Sequence, residues 1–202
     1  ALAAGLEPED QVIQTSPSAS PTKWHLAHTT WFFETFVLKE FEPNFCPFHP
    51  AFEMLFNSYY NGVGDAFSRI HRGLLSRPTV AEVAAYRSNV DERMGNLLDG
   101  SSDSRVLGLV EIGLHHEQQH QELLLTDIKH LLAQSPLNPV YSSHWPLCSV
   151  ASVPLEWVRS EGGAVDMGHT GPGFAFDNET PRHRVWLNPY ALGNRLITNG
   201  EW

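Results

Sequence analysis

The stretch from Ser104 to Ala133 places the strongest constraint on this chain, because it contains no proline and only two glycines. Apolar residues and histidines recur along it at steps of three and four, which is the period of a helix with one buried face. His116 and His120 are four residues apart, so their side chains lie on one face, one turn apart. The stretch therefore predicts a long helix carrying two imidazoles that can reach one metal ion.

A second helix is predicted to begin at Pro21 and to reach about Lys39. Ser20 is a favourable N-cap, and proline is well tolerated at the first helical position. His28 lies within the apolar and aromatic stripe of this helix. His25 is rotated off that stripe by about 100°, so an ordinary surface position is expected for it.

A third helix is predicted to start after Thr79 and to end near Leu98, because Thr79 and Glu82 have the spacing of a capping box. The preceding residues 41–78 contain several prolines and show no period. Long irregular connections inside compact domains are usually functional. We therefore expect this connection to contribute to a site.

The character of the chain changes after Pro139, where short alternating segments are separated by glycine-rich turns. Strands are predicted at 155–158, 164–167 and 184–187. The expected fold class is α+β, with a helical bundle at 1–139, a linker at 140–153 and the beginning of a β-rich domain at 154–202.

Composition narrows the functional classes. The net charge of −10 argues against a nucleic-acid partner, which normally meets a basic surface. No apolar run approaches the ~20 residues of a membrane span. The cysteines, Cys46 and Cys148, belong to no CxxC pair, as is usual in a reducing compartment. We expect a cytoplasmic protein that acts on small molecules, with no nucleic-acid or membrane partner.

The identity of the third metal ligand distinguishes between the possible kinds of metal site. The segment His116–His120 fits the zinc-protease pattern H-E-x-x-H, in which Glu117 would be the general base. His130 lies about 15 Å further along the same helix and cannot share the ion. A ligand from another helix is needed, and His28 already faces a core. A solvated histidine pair and a buried, hydrogen-bonded His28 without metal are the alternatives.

Three neutral imidazoles without a carboxylate would leave the charge of the ion uncompensated. Such a site favours an anionic incoming ligand such as a thiolate and keeps coordination positions open. Zinc would serve for hydrolysis or thiol activation, and iron(II) for oxygen chemistry. The spacing of the ligands does not choose between these metals.

Several segments together resemble the EgtB family, the sulfoxide synthases (hercynine oxygenases) of ergothioneine biosynthesis. The resemblance rests on residues 20–36, 55–60, 72–78, 116–120 and 162–185. It implies a DinB-like helical bundle followed by the opening of a formylglycine-generating-enzyme-like (sulfatase-modifying-factor, C-type-lectin-like) domain. It also implies an O2-dependent reaction at Fe(II), which joins cysteine or γ-glutamylcysteine to hercynine (Nα-trimethylhistidine).

The same resemblance assigns roles to individual residues. It implies that His28, His116 and His120 are the iron ligands and that Gln119 helps to hold hercynine. The carboxylate of the thiol substrate is expected to pair with arginines of the irregular connection, which are Arg69 and Arg72. Beyond the metal ligands, no catalytic residue is identified in the chain.

The chain starts without methionine and stops before the region that holds the family's catalytic tyrosine, so a truncated enzyme with little activity of its own is expected. Three alternatives stay open. A zinc-dependent DinB-like thiol S-transferase would need only the helical bundle. An ovothiol synthase would use the same metal chemistry on histidine. A metal-binding or structural fragment would have no activity.

Overall fold

A computed structural model describes residues 2–100, 102–142 and 153–202 of the chain. The chain divides into two compact units, Ala1–Trp145 and Pro146–Trp202. Most of the predicted linker at 140–153 lies outside the described residues, so the predicted domain boundaries stay a prediction. Within the described ranges, no helix combines the length and the apolar character that crossing a membrane requires.

The first unit is helical, and its long elements match the predicted helices. Its α-helices are α1 (Thr22–Phe33), α2 (Lys39–Phe41), α3 (Phe52–Leu55), α4 (Val80–Leu98) and α5 (Ser104–Ala133). A π-helical segment, Glu34–Leu38, joins α1 to α2, and 3-10 helices occupy Asp10–Val12 and Arg69–Leu74.

The predicted start signals of the helices are present for α4 but not for α1. The capping box before α4 is present, since the Glu82 amide donates to Thr79 Oγ1 and the Thr79 amide donates to Glu82 Oε2. The predicted cap of α1 is different, because Pro21 holds the N-cap position. The Ser20 hydroxyl instead accepts a hydrogen bond from Arg72 Nη1 at 3.0 Å. The N-cap position predicted for Ser20 is therefore wrong, and its hydroxyl pairs with a residue distant in the sequence.

The core of the first unit lies where α1 packs against both α4 and α5. Ten of the twelve α1 residues are buried. Trp31 of α1 and Tyr86 of α4 are fully buried, and each such aromatic removes about 150–250 Å² from water, which stabilises the fold by about 4–6 kcal/mol. On α5, a Cβ added at Gly113 would lie 2.5 Å from Phe33 Cε1. Gly113 therefore permits the close approach of α5 to α1.

The irregular connection between α3 and the Arg69–Leu74 helix is held by the buried amide of Asn57. Asn57 Nδ2 donates to the carbonyl oxygens of Tyr60, Gly64 and Asp65, and Asn57 Oδ1 accepts from the Tyr60 amide. A single side chain thus closes the loop on itself. The neighbouring carbonyl of Phe56 is fixed as a consequence, and it faces α1.

The second unit consists of two antiparallel strand pairs. Strand β1 (Trp157–Ser160) pairs with β4 (Tyr190–Gly193), and β2 (Gly163–Met167) pairs with β3 (His183–Leu187). Three of these strands match the predicted ones, whereas β4 was not predicted. The helical unit and the strands together confirm the α+β fold class.

Candidate metal centre

Three histidines from two helices converge in the first unit. His28 lies in the middle of α1, and His116 and His120 lie one turn apart on α5. One ring nitrogen of each lies within 4.8 Å of the others. A contact of hydrogen-bond length joins His28 Nε2 to His116 Nε2 at 3.1 Å. The structure thus brings together the three predicted ligands, and their binding of a metal stays a prediction.

The geometry and the charge state of the cluster fit a metal ion. Metal–nitrogen bonds of about 2.0–2.1 Å put neighbouring ligand nitrogens about 2.8–3.4 Å apart, and the contact of 3.1 Å lies in that range. Burial lowers the pKa of His28 to about 3, that of His116 to about 4 and that of His120 to about 2. All three imidazoles are therefore neutral at neutral pH, as metal ligands must be.

The ring of His28 is fixed from three sides. It stacks on Trp24 with ring centroids 4.5 Å apart and on Trp31 at 5.4 Å. Its Nδ1 lies 2.6 Å from the carbonyl oxygen of Phe56. Because a carbonyl only accepts, Nδ1 carries the hydrogen and Nε2 presents a lone pair to the cluster. Metal-binding histidines typically have such a partner on the second nitrogen.

The surface position predicted for His25 is wrong, since its exposed fraction is only 4%. A rotation of 100° off the apolar stripe still faces protein, because α1 is buried on almost all sides. His25 Nδ1 lies 2.9 Å from His120 Nδ1, and His25 Nε2 lies 2.9 Å from Asp127 Oδ2. The sequence held one hint, since Asp127 follows His120 by two helical turns on the same face.

The structure argues against the zinc-protease interpretation of His116–His120. Glu117, which would be the general base, binds Arg87 Nη2 through both carboxylate oxygens, at 2.8 and 2.9 Å. This ion pair engages both oxygens of the Glu117 carboxylate. His130 is exposed and contacts Thr15 Oγ1 at 2.7 Å. Neither residue belongs to the cluster.

The predicted substrate-binding residues occupy different environments. Arg72 is buried, and its guanidinium lies 3.4 Å above the ring of Trp24, on which His28 stacks. Burial lowers the pKa of Arg72 to about 10, so it stays cationic at neutral pH. Arg69 is exposed and donates to Tyr59 Oη at 2.8 Å and to the carbonyl of Ser18.

Gln119 is exposed on α5, directly before His120. A residue at that position is rotated by about 100° from the ligand. The substrate-binding roles of Gln119, Arg69 and Arg72 stay predictions.

Comparison with known proteins gives the family. Curated relatives named hercynine oxygenase are 30% identical in Mycolicibacterium thermoresistibile, 29% in Mycobacterium tuberculosis and 26% in Mycolicibacterium smegmatis. Each alignment covers 94% of this chain but only 41–43% of the relative. The chain thus spans about two-fifths of the length of these relatives. The name that the relatives share agrees with the resemblance of this sequence to the EgtB family. The profile of the DinB superfamily matches residues 1–124, which is more than half of the chain. The chain therefore belongs to the DinB superfamily.

Proposed function

We propose that the chain carries the metal-binding unit of an iron(II)- and O2-dependent sulfoxide synthase, which joins a cysteine-type thiol to hercynine. The observation that carries the proposal is the cluster of His28, His116 and His120, whose ligand nitrogens lie within 4.8 Å of one another. The similarity to proteins named hercynine oxygenase supports the choice of reaction over other uses of a three-histidine site.

The three imidazoles would hold Fe(II), and the ion would supply the activation of oxygen. The donor set contains nitrogen only, and no carboxylate belongs to the cluster among the described residues. The positive charge of the ion stays uncompensated by the protein, which favours a thiolate over a neutral thiol. The lone pair of His28 Nε2 is directed at the cluster by the bond to Phe56, so this ligand needs no reorientation.

Arg72 is the proposed partner of the thiol substrate's carboxylate, with Arg69 beside it and Gln119 as a contact for hercynine. Arg72 donates to Ser20 Oγ at 3.0 Å and to Ser58 Oγ at 3.2 Å, and its Nε is buried without a partner. A carboxylate could accept from this unpaired Nε, and its charge-assisted hydrogen bonds to a guanidinium are about twice as strong as those between neutral groups.

We propose that the strand-rich residues 154–202 open a formylglycine-generating-enzyme-like domain, in keeping with alignments that cover 94% of the chain. The partners would be hercynine, cysteine or γ-glutamylcysteine, and O2, in the cytoplasm. No nucleic-acid or membrane partner is proposed for a chain with a net charge of −10.

The first experiment tests whether the three histidines bind Fe(II). Anaerobic titration of the purified chain with Fe(II) should give one bound ion, and His28→Ala or His120→Ala should abolish tight binding. His130→Ala is the matched control, because His130 is an exposed histidine of the same helix outside the cluster. Equal binding by the parent chain and both cluster variants would refute the site.

The second experiment tests the reaction on the complete gene product that contains this chain. Oxygen uptake and mass spectrometry are followed with hercynine plus cysteine, or hercynine plus γ-glutamylcysteine. Formation of a sulfoxide only with iron(II), oxygen and both substrates supports the proposal. Thiol transfer that needs zinc and no oxygen would instead identify a thiol S-transferase.

A further inference from the structure

We propose that His25 and Asp127 position the ligand His120 by deciding which of its ring nitrogens carries hydrogen. This inference rests on the metal site proposed above. Its structural basis is a row of hydrogen bonds that runs from Asp127 through His25 to His120, with both links 2.9 Å long.

The row begins at one carboxylate oxygen. Asp127 Oδ2 accepts a hydrogen bond from the backbone amide of Ser20 at 2.9 Å. The same oxygen lies 2.9 Å from His25 Nε2. A carboxylate oxygen that already receives an amide hydrogen acts as an acceptor, so His25 Nε2 is the donor of this bond. The hydrogen of a neutral His25 therefore sits on Nε2, and its Nδ1 has the lone pair.

The direction of the first bond decides the direction of the second. The contact between His25 Nδ1 and His120 Nδ1 joins two ring nitrogens, so one must donate and the other accept. With the lone pair on His25 Nδ1, the hydrogen lies on His120 Nδ1. The other nitrogen of His120, Nε2, is then free of hydrogen and can bind a metal ion.

Burial makes this arrangement effective. His25 is 4% exposed, and the side chain of Asp127 is 21% exposed, so water competes little for either bond. The other two ligands differ from His120 in this respect. His28 is oriented by the backbone carbonyl of Phe56, and His116 Nδ1 is buried without a partner. His120 is thus the ligand whose Nδ1 is hydrogen-bonded to a side chain.

Two substitutions at one position separate hydrogen bonding from packing. His25→Phe keeps an aromatic ring but removes the acceptor of the His120 hydrogen. His25→Asn places an amide oxygen where Nδ1 was and so retains the acceptor. His130→Phe is the matched control, since His130 is exposed, lies outside the cluster and contacts Thr15 Oγ1 with its ring.

The first measurement is the tautomer of His120 in the metal-free chain, read from the nitrogen-15 signals of its ring. The parent chain and the His25→Asn variant should carry hydrogen on Nδ1, and His25→Phe should shift it towards Nε2. The second measurement is the affinity for Co2+ alone, followed by visible absorption. Loss of such an outer partner typically weakens metal binding about 10–100-fold, and this loss is expected for His25→Phe but not for His25→Asn.

Several results would overturn the inference. An unchanged tautomer and affinity in His25→Phe would do so, as would equal weakening in both His25 variants, which would indicate packing alone. If His25→Phe does not fold, Asp127→Ala replaces it as the test variant. This variant should also shift the His120 hydrogen towards Nε2 and weaken the binding of Co2+. If the parent chain binds no Co2+, the proposed metal site fails, whereas the His120 tautomer still supports or refutes the positioning role.

Discussion

The metal-free chain should lose stability steeply as the pH falls from 7.5 to 5, because its fold keeps one buried and two half-buried imidazoles neutral. Burial lowers the pKa of His28, His116 and His120 to about 3, about 4 and about 2, while the pKa of each in the unfolded chain is 6.5. Between pH 6.5 and pH 4 the unfolded state therefore binds up to three protons that the folded state does not.

The sign and the size of this loss of stability follow from the linkage between folding and proton binding. Stability rises with pH wherever the unfolded state binds more protons, so the folded chain is most stable above pH 6.5 and loses stability below it. Each imidazole contributes about 2 kcal/mol between pH 7.5 and pH 5, or about 6 kcal/mol for the three. The total stability of a domain is about 5–15 kcal/mol, so the helical unit should be close to unfolding at pH 5.

Urea unfolding in the presence of a chelator, followed by far-ultraviolet circular dichroism at a series of pH values, measures this loss. His28→Asn should reduce the loss between pH 7.5 and pH 5 by about one third, whatever its effect on absolute stability. His130→Gln is the matched control, because His130 is exposed on the same helix as two cluster histidines and lies outside the cluster. Carboxylates with a lowered pKa, such as Glu42 and Glu82, act only below about pH 4.5. A loss of equal size in His28→Asn and the parent chain would refute the reasoning.

Three further changes test other contacts of the helical unit. Gly113→Ala should destabilise it by about 1–2 kcal/mol in urea unfolding, because the new Cβ meets Phe33; Gly108→Ala, with open space on the same helix, should stabilise it by up to about 1 kcal/mol. Glu117→Gln should cost about 1 kcal/mol by weakening the pair with Arg87. The same variant should leave the affinity for Fe(II) nearly unchanged. Loss of all activity in the complete gene product would instead support a role of Glu117 as general base. Arg72→Ala in that product should raise KM for the thiol far more than KM for hercynine, and equal effects on both would count against the assignment.

The helices were predictable because their signals are local. The capping box of α4 and the proline-free period of α5 each specify an element from neighbouring residues. The π-helical segment Glu34–Leu38 was not predictable, since its buried carboxylate depends on distant partners. Glu34 accepts from Tyr86 Oη at 2.6 Å and from the Phe48 amide at 2.8 Å. Strand β4 was missed because it is short and follows Pro189, and it exists by pairing with β1.

The three candidate metal ligands were predictable from the sequence, whereas the contact of His25 with one of them was not. The spacing of His116 and His120 fixes a shared face, and the aromatic stripe of α1 indicates that His28 faces the core. The role of His25 depends on how α1 and α5 are set against each other, which no local pattern encodes. A pattern of apolar residues also misleads on a helix that is buried almost all round, because polar side chains off the stripe are buried as well.

The packing that prepares the cluster also connects metal occupancy to stability. Arg72, Trp24, His28 and Trp31 form one continuous stack, so the His28 ring cannot turn without disturbing the core. That burial fixes the ligand and lowers its pKa, but a buried polar ring without a full set of partners is unfavourable. A bound ion would be a shared partner for the ring nitrogens that the three imidazoles bring together. Because the unfolded chain cannot gather ligands from α1 and α5, metal binding should stabilise the folded helical unit selectively.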